Sequence, residues 1–162
     1  MAVNEAERSQ SRTSDRALVT QRLISAPRVR VFAAWIDPGQ AEKWWGPNGF
    51  RTTTLEADVR PGGIWRHIMH GPDGRDYPNR IRYVEIRPPE CIVYDHDDDS
   101  DHGVTRFHAT VTFEEANGKT LLTLRSEFAT AEELDRVAKE HGAIEGAVQH
   151  LERLADYLGD HR

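Results

Sequence analysis

Hydrophobic and polar positions along the chain alternate in short segments that end at turn residues, a pattern typical of an antiparallel sheet. A first strand is predicted at Ala17–Ile24, and six further strand-like segments follow after residue 49. These segments are residues 50–59, 64–70, 77–86, 91–95, 104–115 and 120–128. Because the links between them are short and include the hairpin signal Asn117-Gly118, they predict a meander rather than parallel crossovers.

Two short helices are predicted between the first strand and the rest of the sheet. Pro27 tolerates the first turn of a helix, with residue 25 or 26 as its cap, because its missing N–H would be unpaired there. Asp37 can cap a second helix that has Pro38 in its first turn. This second helix is expected to end at Gly46-Pro47, where both residue types stop helices.

The last predicted element is one long helix at residues 131–158. Gly142 and Gly146 each cost about 1 kcal/mol of helix propensity relative to alanine and indicate a bend or a close approach. Its apolar residues recur every three or four positions and form one stripe that faces the sheet. These residues are Ile144, Val148, Leu151, Leu154 and Leu158. The elements together predict an α+β domain with the C-terminal helix packed on an antiparallel sheet.

Composition narrows the class of protein. The 162 residues fit one domain, which we place at residues 17–158 after a disordered polar tail at residues 1–16. No apolar run approaches the ~20 residues that span a bilayer, so we expect no membrane partner. The net charge of −6 argues against nucleic acid, which requires a basic surface. Cys91 is the only cysteine, and a reducing cytoplasm is the simplest location.

Several short motifs, taken in order, identify a family. They are Ser25-Ala26-Pro27 with Val31-Phe32, Asp37-Pro38, Lys43-Trp44-Trp45-Gly46-Pro47, Asp58-Val59-Arg60-Pro61-Gly62-Gly63, Gly71-Pro72-Asp73-Gly74, Glu85-Ile86 with Pro88-Pro89-Glu90, and Glu145-Gly146-Ala147 to Leu151-Glu152-Arg153-Leu154. This series resembles the bacterial homologues of the heat-shock-90 ATPase activator domain (AHSA-type), within the START-like (SRPBCC) superfamily. The resemblance covers residues 17–158.

The resemblance implies a helix-grip fold, in which a curved antiparallel sheet wraps around a long C-terminal helix and leaves a cavity between them. It also implies binding of small apolar or amphipathic molecules, and it allows a homodimer. Eukaryotic co-chaperones of the family carry a further N-terminal domain that these 162 residues lack, so we do not expect the heat-shock-90 chaperone as partner. Ile81 and His150 add bulk where the family often has smaller residues, which predicts a narrowed cavity.

Strand parity then selects the side chains that face the cavity. Phe107 and Ala109 lie on the apolar face of their strand, Trp65, His67 and Met69 share a face, and Arg82 is grouped with Val84 and Ile86. The complete predicted ligand-binding set is Trp45, Trp65, His67, Met69, Arg82, Val84, Tyr94, Phe107, Ala109, Val148 and Leu151.

Two of these residues are polar groups on an apolar wall. His67 and Arg82 could contact the polar end of a ligand, or they could pair with protein carboxylates or reach the cavity mouth. Of the two adjacent tryptophans, one is expected to anchor its helix through the indole N–H. The other, Trp45 in our assignment, is expected to line the cavity entrance.

Other site chemistry finds little support in the sequence. The acidic loop at residues 95–102 lacks the glycine and the terminal glutamate of an EF-hand loop, so we predict no metal site there. No catalytic residue or cofactor is predicted.

We therefore favour the hypothesis that the protein binds a small hydrophobic molecule. One alternative is a cyclase- or hydrolase-like enzyme acting on a polyketide-type substrate through His67 and Arg82. Another is a co-chaperone-like interaction domain that uses an exposed Trp45 and the acidic loop.

Overall fold

A computed structural model describes residues 10–100 and 105–159, without the side chains of residues 10–14 and 141. The elements in chain order are β1 (Gln10–Ser14), β2 (Ala17–Ile24), α1 (Arg28–Ile36), α2 (Pro38–Ala41), β3 (Arg51–Ala57), β4 (Ile64–His70), β5 (Asp76–Arg87), β6 (Cys91–Asp97), β7 (Phe107–Ala116), β8 (Lys119–Phe128), α3 (Ala131–His141) and α4 (Ala143–Tyr157).

All strands belong to one antiparallel sheet of eight, in the order β1-β2-β8-β7-β6-β5-β4-β3. The strands from β3 to β8 form the predicted meander, and β2 returns to pair with β8. Two short helices follow β2, and the C-terminal helices pack on the concave side of the curved sheet. The predicted α+β helix-grip fold is confirmed.

The predicted disordered tail is wrong for residues 10–14. Residues 10–14 form β1 and pair with β2 over the whole length of the strand, from Gln10 opposite Gln21 to Ser14 opposite Ala17. The polar composition hid this strand, because an edge strand can be stabilised by main-chain hydrogen bonds without an apolar face. Residues 1–9 lie outside the described residues.

The long C-terminal helix is also corrected, because it is two helices. Gly142 has a φ of +60°, in the left-handed region, and forms both the C-cap of α3 and the N-cap of α4. Residues with a Cβ adopt that conformation at a cost, so glycine is the residue that ends a helix in this way. The break turns the chain before α4 reaches the sheet.

Large apolar side chains from the sheet, α1 and the second half of α4 fill the core. Leu151, Leu154 and Ala155 of α4, with Leu158 at its C-cap, pack with Trp35, Trp44 and Trp65 and are almost completely buried. Arg22 of β2 also donates from its Nε to Glu152 of α4, at 2.9 Å. The second half of α4 is therefore fixed to the sheet.

Candidate functional site

A cavity of about 270 Å³ lies between the sheet and the C-terminal helices. The sheet contributes mainly apolar side chains from β2, β4, β6, β7 and β8. They are Leu18, Met69, Tyr94, Phe107, Leu124 and Phe128. Polar side chains of the lining are those of Asn79, His96, Ser126 and His150, and Tyr94 and Trp45 add a hydroxyl and an indole N–H. The cavity is thus a partly open, mostly apolar space with a few polar groups, the usual composition of a small-molecule site.

Small residues on α4 leave the space open. Gly142, Ala143, Gly146 and Ala147 line the cavity at the start of the helix, whereas Leu151 one turn further on is fully buried in the core. Residues at i and i+4 lie above one another on a helix, so these residues present one nearly side-chain-free surface to the sheet. The cavity therefore lies along the N-terminal half of α4, where side chains are too short to fill it.

One wall of the cavity is a loop that α4 holds in place. Residues 45–50, here called the wall loop, include Trp45, Gly46 and Pro47 of the lining. Nη1 of Arg153 donates to the carbonyl oxygens of Trp45 (3.0 Å), Gly46 (3.0 Å) and Pro47 (2.9 Å). Nη2 of Arg153 donates to the carbonyl of Phe50 at 3.0 Å. A single guanidinium thus donates to four main-chain carbonyls. Two of these carbonyls also accept from a second donor, that of Trp45 from the Thr52 hydroxyl at 3.3 Å and that of Pro47 from the N–H of Phe50 at 3.2 Å.

Two further side chains of α4 accept hydrogen bonds from the same loop. The N–H of Asn48 donates to the Gln149 side chain at 3.1 Å, and the N–H of Gly46 donates to Nδ1 of His150 at 3.0 Å. Because Nδ1 of His150 accepts, the neutral ring carries its proton on Nε2. The wall loop and the helix therefore move as one unit.

The two adjacent tryptophans have different environments. Nε1 of Trp44 donates to the carbonyl of Ala34 at 3.1 Å, which anchors the residues after α2 to α1. Trp45 lines the cavity and is 5% exposed, so the exposed Trp45 of the interaction-domain alternative is wrong. Its ring meets Trp65 edge-on at 4.9 Å and His150 at 4.6 Å.

His67 is the most unusual polar group near the cavity. It is 0% exposed and stacks on Trp65 at 3.9 Å, behind the lining. Neither ring nitrogen has a hydrogen-bond partner among the described residues. Burial, followed by the proximity of His96 and His150, lowers the pKa of His67 to about 3. His67 is therefore neutral at physiological pH.

His96 and His150 bring two more neutral imidazoles to the cavity lining. Burial lowers the pKa of His96 to about 4 and that of His150 to about 3. His96 stacks on Phe107 at 4.6 Å with an interplanar angle of 12°. Its Nδ1 is buried and has no partner in the described part of the chain. The sequence did not predict His96 because the predicted strand ended at residue 95. In the structure β6 continues to Asp97, and His96 faces the same side of the sheet as Tyr94.

The predicted site residues fall into three groups. Trp45, Met69, Tyr94 and Phe107 line the cavity. Behind it lie Trp65, His67, Ala109 and Leu151, all buried, and Val148, which is half-buried on α4. Ile81 is also buried in the core, and His150 lies in the lining. The rest of the lining was not predicted; it consists of the small residues of α4 together with Leu18, Gly46, Pro47, Asn79, His96, Leu124, Ser126 and Phe128.

Arg82 and Val84 form the third group, and their inward orientation is wrong. Both are exposed on the outer face of β5, whereas Asn79, Ile81 and Tyr83 face inward. The pairing of β5 with β6 shifts register between Tyr83 and Glu85, so Val84 is an extra residue in a bulge. The sequence prediction assumed strict alternation back from Ile86. The extra residue in the bulge shifts that alternation by one, so the prediction assigned Arg82 to the inner face, whereas it lies on the outer face. Arg82 and His67 therefore cannot act on one substrate, as the enzyme alternative requires.

The first prediction concerns Arg82. Because its side chain is on the outer face, Arg82→Met should change neither the free energy of unfolding nor the affinity for a cavity ligand by more than about 0.5 kcal/mol. Urea denaturation and calorimetric titration of the variant measure both. A tenfold loss of affinity would place the guanidinium in the site after all.

In the described part of the acidic loop, three aspartates form ion pairs with arginines of the same chain. Asp97 pairs with Arg80 at 3.1 Å, Asp98 with Arg106 at 3.1 Å, and Asp99 with Arg66 at 2.9 Å. Residues 101–104 lie outside the described residues. Among the described residues, no cluster of three or more histidine, cysteine or carboxylate side chains has the geometry of a metal site.

Within the same residues, no helix combines the length and apolar character needed to cross a membrane.

The fold, with its largely apolar cavity between sheet and helix, defines a helix-grip protein of the START-like class. The family model described as "Activator of Hsp90 ATPase homolog 1-like protein" matches residues 25–159. The chain therefore belongs to that family, as the motifs indicated. A comparison with curated proteins finds no match.

Solved structures similar to this chain have the same fold. Protein Ms6760 from Mycobacterium smegmatis is 28% identical with a TM-score of 0.83, and the match covers 93% of this chain and 96% of that one. A protein from Arthrobacter aurescens is 27% identical with a TM-score of 0.85, covering 94% of this chain and 92% of that one. An AHSA1 protein from Silicibacter pomeroyi, at 23% identity and a TM-score of 0.69, covers 88% of this chain and 97% of that one.

Proposed function

We propose that this chain binds a small hydrophobic or amphipathic molecule in the cavity between the sheet and α4. The observation that carries the proposal is the lining: six large apolar side chains of the sheet face a nearly side-chain-free surface of α4. The cavity is also bounded by a loop that Arg153 fixes in place. We further propose a reducing cytoplasm as the location, since the single cysteine, Cys91, is buried and free.

The energetic cost of an empty cavity supports an occupant. A dry void of about 270 Å³, at ~24 cal/mol per Å³, carries a nominal cost of about 6 kcal/mol. A domain of this kind has a net stability of only ~5–15 kcal/mol. The cavity is partly open, so water can enter it, but the polar partners for that water are few compared with the apolar surface. Water therefore offsets this cost only in part. A ligand with an apolar body removes this cost.

The second prediction tests occupancy by filling the cavity. Ala147→Phe places a benzyl-sized side chain at the centre of the small-residue surface of α4. Naphthalene, a rigid apolar probe, should bind the unmodified protein and lose at least tenfold in affinity for the variant, since the added ring takes the same volume. Saturation-transfer NMR detects binding, and a calorimetric titration gives the affinity.

Glu145→Phe is the matched control, because Glu145 is exposed on the same helix, two residues from Ala147. This control should bind naphthalene as the unmodified protein does. Native mass spectrometry of the protein purified without denaturant should show a co-purifying mass that Ala147→Phe lacks. If naphthalene binds equally to all three proteins, or to none, the proposed function is wrong.

A further inference from the structure

We propose that the cavity ligand is an uncharged molecule with a carbonyl group whose oxygen accepts a hydrogen bond from the hydroxyl of Tyr94. This inference rests on the proposed function and adds the chemical class of the molecule bound there. Three features of the site support it: an unpartnered hydroxyl that a cavity ligand can reach, further donors in the same lining, and the absence of charged side chains from the described lining.

Tyr94 lies in the middle of β6 and points to the inner face of the sheet. Its neighbours in the sheet register are Tyr83 on β5 and Ala109 on β7, and all three residues are buried. Only 3% of Tyr94 is exposed, and the residue is part of the cavity lining. The small surface that Tyr94 retains therefore lies within the cavity.

The hydroxyl of Tyr94 has no hydrogen-bond partner among the described residues, yet it is not sealed off. In the described part of the chain, the side-chain polar atoms that lack both a partner and accessible surface are the two ring nitrogens of His67 and Nδ1 of His96. The Tyr94 oxygen does not belong to this group, so a molecule in the cavity can reach it. Polar groups in such surroundings are normally paired with protein, water or a ligand. A mostly apolar lining gives water few further partners, which favours a ligand oxygen.

The polarity of the neighbouring groups indicates that this ligand oxygen is an acceptor. A phenolic hydroxyl donates more strongly than it accepts, because its oxygen lone pair is delocalised into the ring. Nδ1 of His150 accepts from Gly46, so its Nε2 carries the proton, and the indole nitrogen of Trp45 can only donate. Neither of these two N–H groups donates to a residue that the structure describes. Asn79 adds an amide oxygen as acceptor, so donors predominate in the lining.

The charge of the site separates a carbonyl from a carboxylate. The described lining contains no lysine, arginine, aspartate or glutamate side chain. The guanidinium of Arg153, further along α4, is engaged by four carbonyls of the wall loop. Burial raises the pKa of Tyr94, so the surroundings of its hydroxyl disfavour negative charge. A carboxylate would lose hydration there without gaining an ion pair, whereas the oxygen of a ketone, an ester or a lactone loses less.

The third prediction compares two probes of the same shape by calorimetric titration at pH 7.5. 2-Acetylnaphthalene carries a carbonyl group, and 2-isopropenylnaphthalene has a methylene group in place of the carbonyl oxygen. Tyr94→Phe removes the hydroxyl alone. It should weaken binding of 2-acetylnaphthalene about five- to tenfold, the value of one net hydrogen bond, and leave the affinity for 2-isopropenylnaphthalene within about twofold.

Tyr83→Phe is the matched control. Tyr83 is the register neighbour of Tyr94 and is also buried, but it is not part of the lining. This variant should bind both probes as the unmodified protein does. A third probe, 2-naphthoate, tests the charge of the ligand. It should bind the unmodified protein about tenfold more weakly than 2-acetylnaphthalene, because its carboxylate finds no cation in the lining.

A second measurement observes the hydrogen bond directly on the unmodified protein. The C=O stretch of bound 2-acetylnaphthalene, labelled with carbon-13 at the carbonyl, should lie at a lower wavenumber than in cyclohexane, since a hydrogen bond weakens the C=O bond. In Tyr94→Phe the infrared band should move back toward its position in cyclohexane.

The outcomes separate this inference from the proposed function. Four results would each overturn the inference and leave apolar binding intact: no loss of either probe in Tyr94→Phe, an equal loss of both, tightest binding by 2-naphthoate, or a carbonyl band in the unmodified protein at its cyclohexane position. Failure of all the naphthalene probes to bind would remove the proposed function, and this inference with it. The infrared band and the 2-naphthoate comparison use the unmodified protein, so they stand even if Tyr94→Phe does not fold.

Discussion

Lowering the pH from 7.5 to 5 is expected to reduce the free energy of unfolding by about 4 kcal/mol. Three buried histidines, His67, His96 and His150, cause this loss. Their pKa values in the folded protein are about 3, about 4 and about 3. In the unfolded chain each returns to about 6.5.

The sign follows from proton binding. Between pH 3–4 and pH 6.5 the three histidines are protonated in the unfolded chain but neutral in the folded protein. The unfolded state is therefore stabilised relative to the folded state as the pH falls. The neutral histidines therefore lower the free energy of unfolding by nothing above pH 6.5. The free energy of unfolding decreases as the pH falls from 6.5 toward the folded pKa values. At pH 5 each histidine contributes about 2 kcal/mol to the loss. His67 gives this in full because it is 0% exposed. His96 and His150 give less, since the cavity admits water to them.

Charged groups around these rings do not reverse the effect. Asp97 and Asp98 raise the pKa of His96 and Arg106 lowers it, but burial is the largest cause. Arg153 lowers the pKa of His150 further. The carboxylates with lowered pKa values act in a more acidic range. The pKa of Asp98, held down mainly by hydrogen bonds from Ser100 and Arg106, is about 2. Its contribution is lost only below pH 4.

Urea denaturation at closely spaced pH values, followed by tryptophan fluorescence, measures the slope of stability against pH. His67→Phe should remove about one proton from that slope and leave stability at pH 8 within about 1 kcal/mol, because it deletes two unpartnered nitrogens. His108→Phe, on the outer face, should change the slope less. A stability that is constant from pH 7.5 to 5 would contradict the buried neutral histidines.

The alternation of residues along a strand predicted some side-chain orientations correctly and others wrongly. The inward orientation of His67 follows from alternation with Trp65 and Met69, because β4 is regular over its length. The same alternation failed for Arg82, where a bulge at Val84 changes the face in the middle of β5. A bulge depends on the partner strand, and no local residue pattern in β5 marks it.

The cavity itself was harder to predict than the fold. An apolar stripe identifies the side of α4 that packs, and Leu151 and Leu154 are indeed fully buried. A cavity forms where that packing is incomplete, so its helical lining is the small-residue segment that includes Gly146 and Ala147. The glycines did indicate a bend or a close approach. The structure shows both: the break is at Gly142, and at Gly146 a Cβ would lie 3.6 Å from Cγ of Pro47 in the wall loop.

Arg153→Met is expected to reduce the free energy of unfolding by about 3–5 kcal/mol. The substitution removes a donor group that contacts four carbonyls of the wall loop at 2.9–3.0 Å. The carbonyls of Trp45 and Pro47 keep a second donor, whereas those of Gly46 and Phe50 have no other donor among the described hydrogen bonds. Hydrogen bonds to a charged donor contribute ~1.5–3 kcal/mol each, and the carbonyls left behind must find water. The loss per bond is smaller here because Nη1 is shared among three acceptors. Nothing in the helical period around Arg153 predicts this role.

The structural consequence should reach the cavity. Without the guanidinium, the described hydrogen bonds from α4 to the wall loop are those of Gln149 and His150, and Thr52 still donates to the carbonyl of Trp45. Trp45 should therefore be held less firmly in the lining. Naphthalene affinity should therefore fall at least tenfold under conditions where the variant is still folded. Arg153→Lys should recover only part of both losses, because an ammonium cannot reproduce the planar fork that reaches Phe50 and Pro47 together.

Arg136→Met provides the matched control for this prediction. Arg136 lies on α3 and pairs with Glu133 and Glu140 in exposed i,i+3 and i,i+4 contacts. Such pairs contribute about 0.5 kcal/mol or less, so the control should be close to the unmodified protein in stability and in naphthalene affinity. Urea denaturation compares the three variants, and the change in tryptophan emission reports the environment of Trp45. If Arg153→Met matched Arg136→Met in both measurements, the wall loop would hold its position without the guanidinium. The geometry of the cavity would then be set by α4 and the sheet alone.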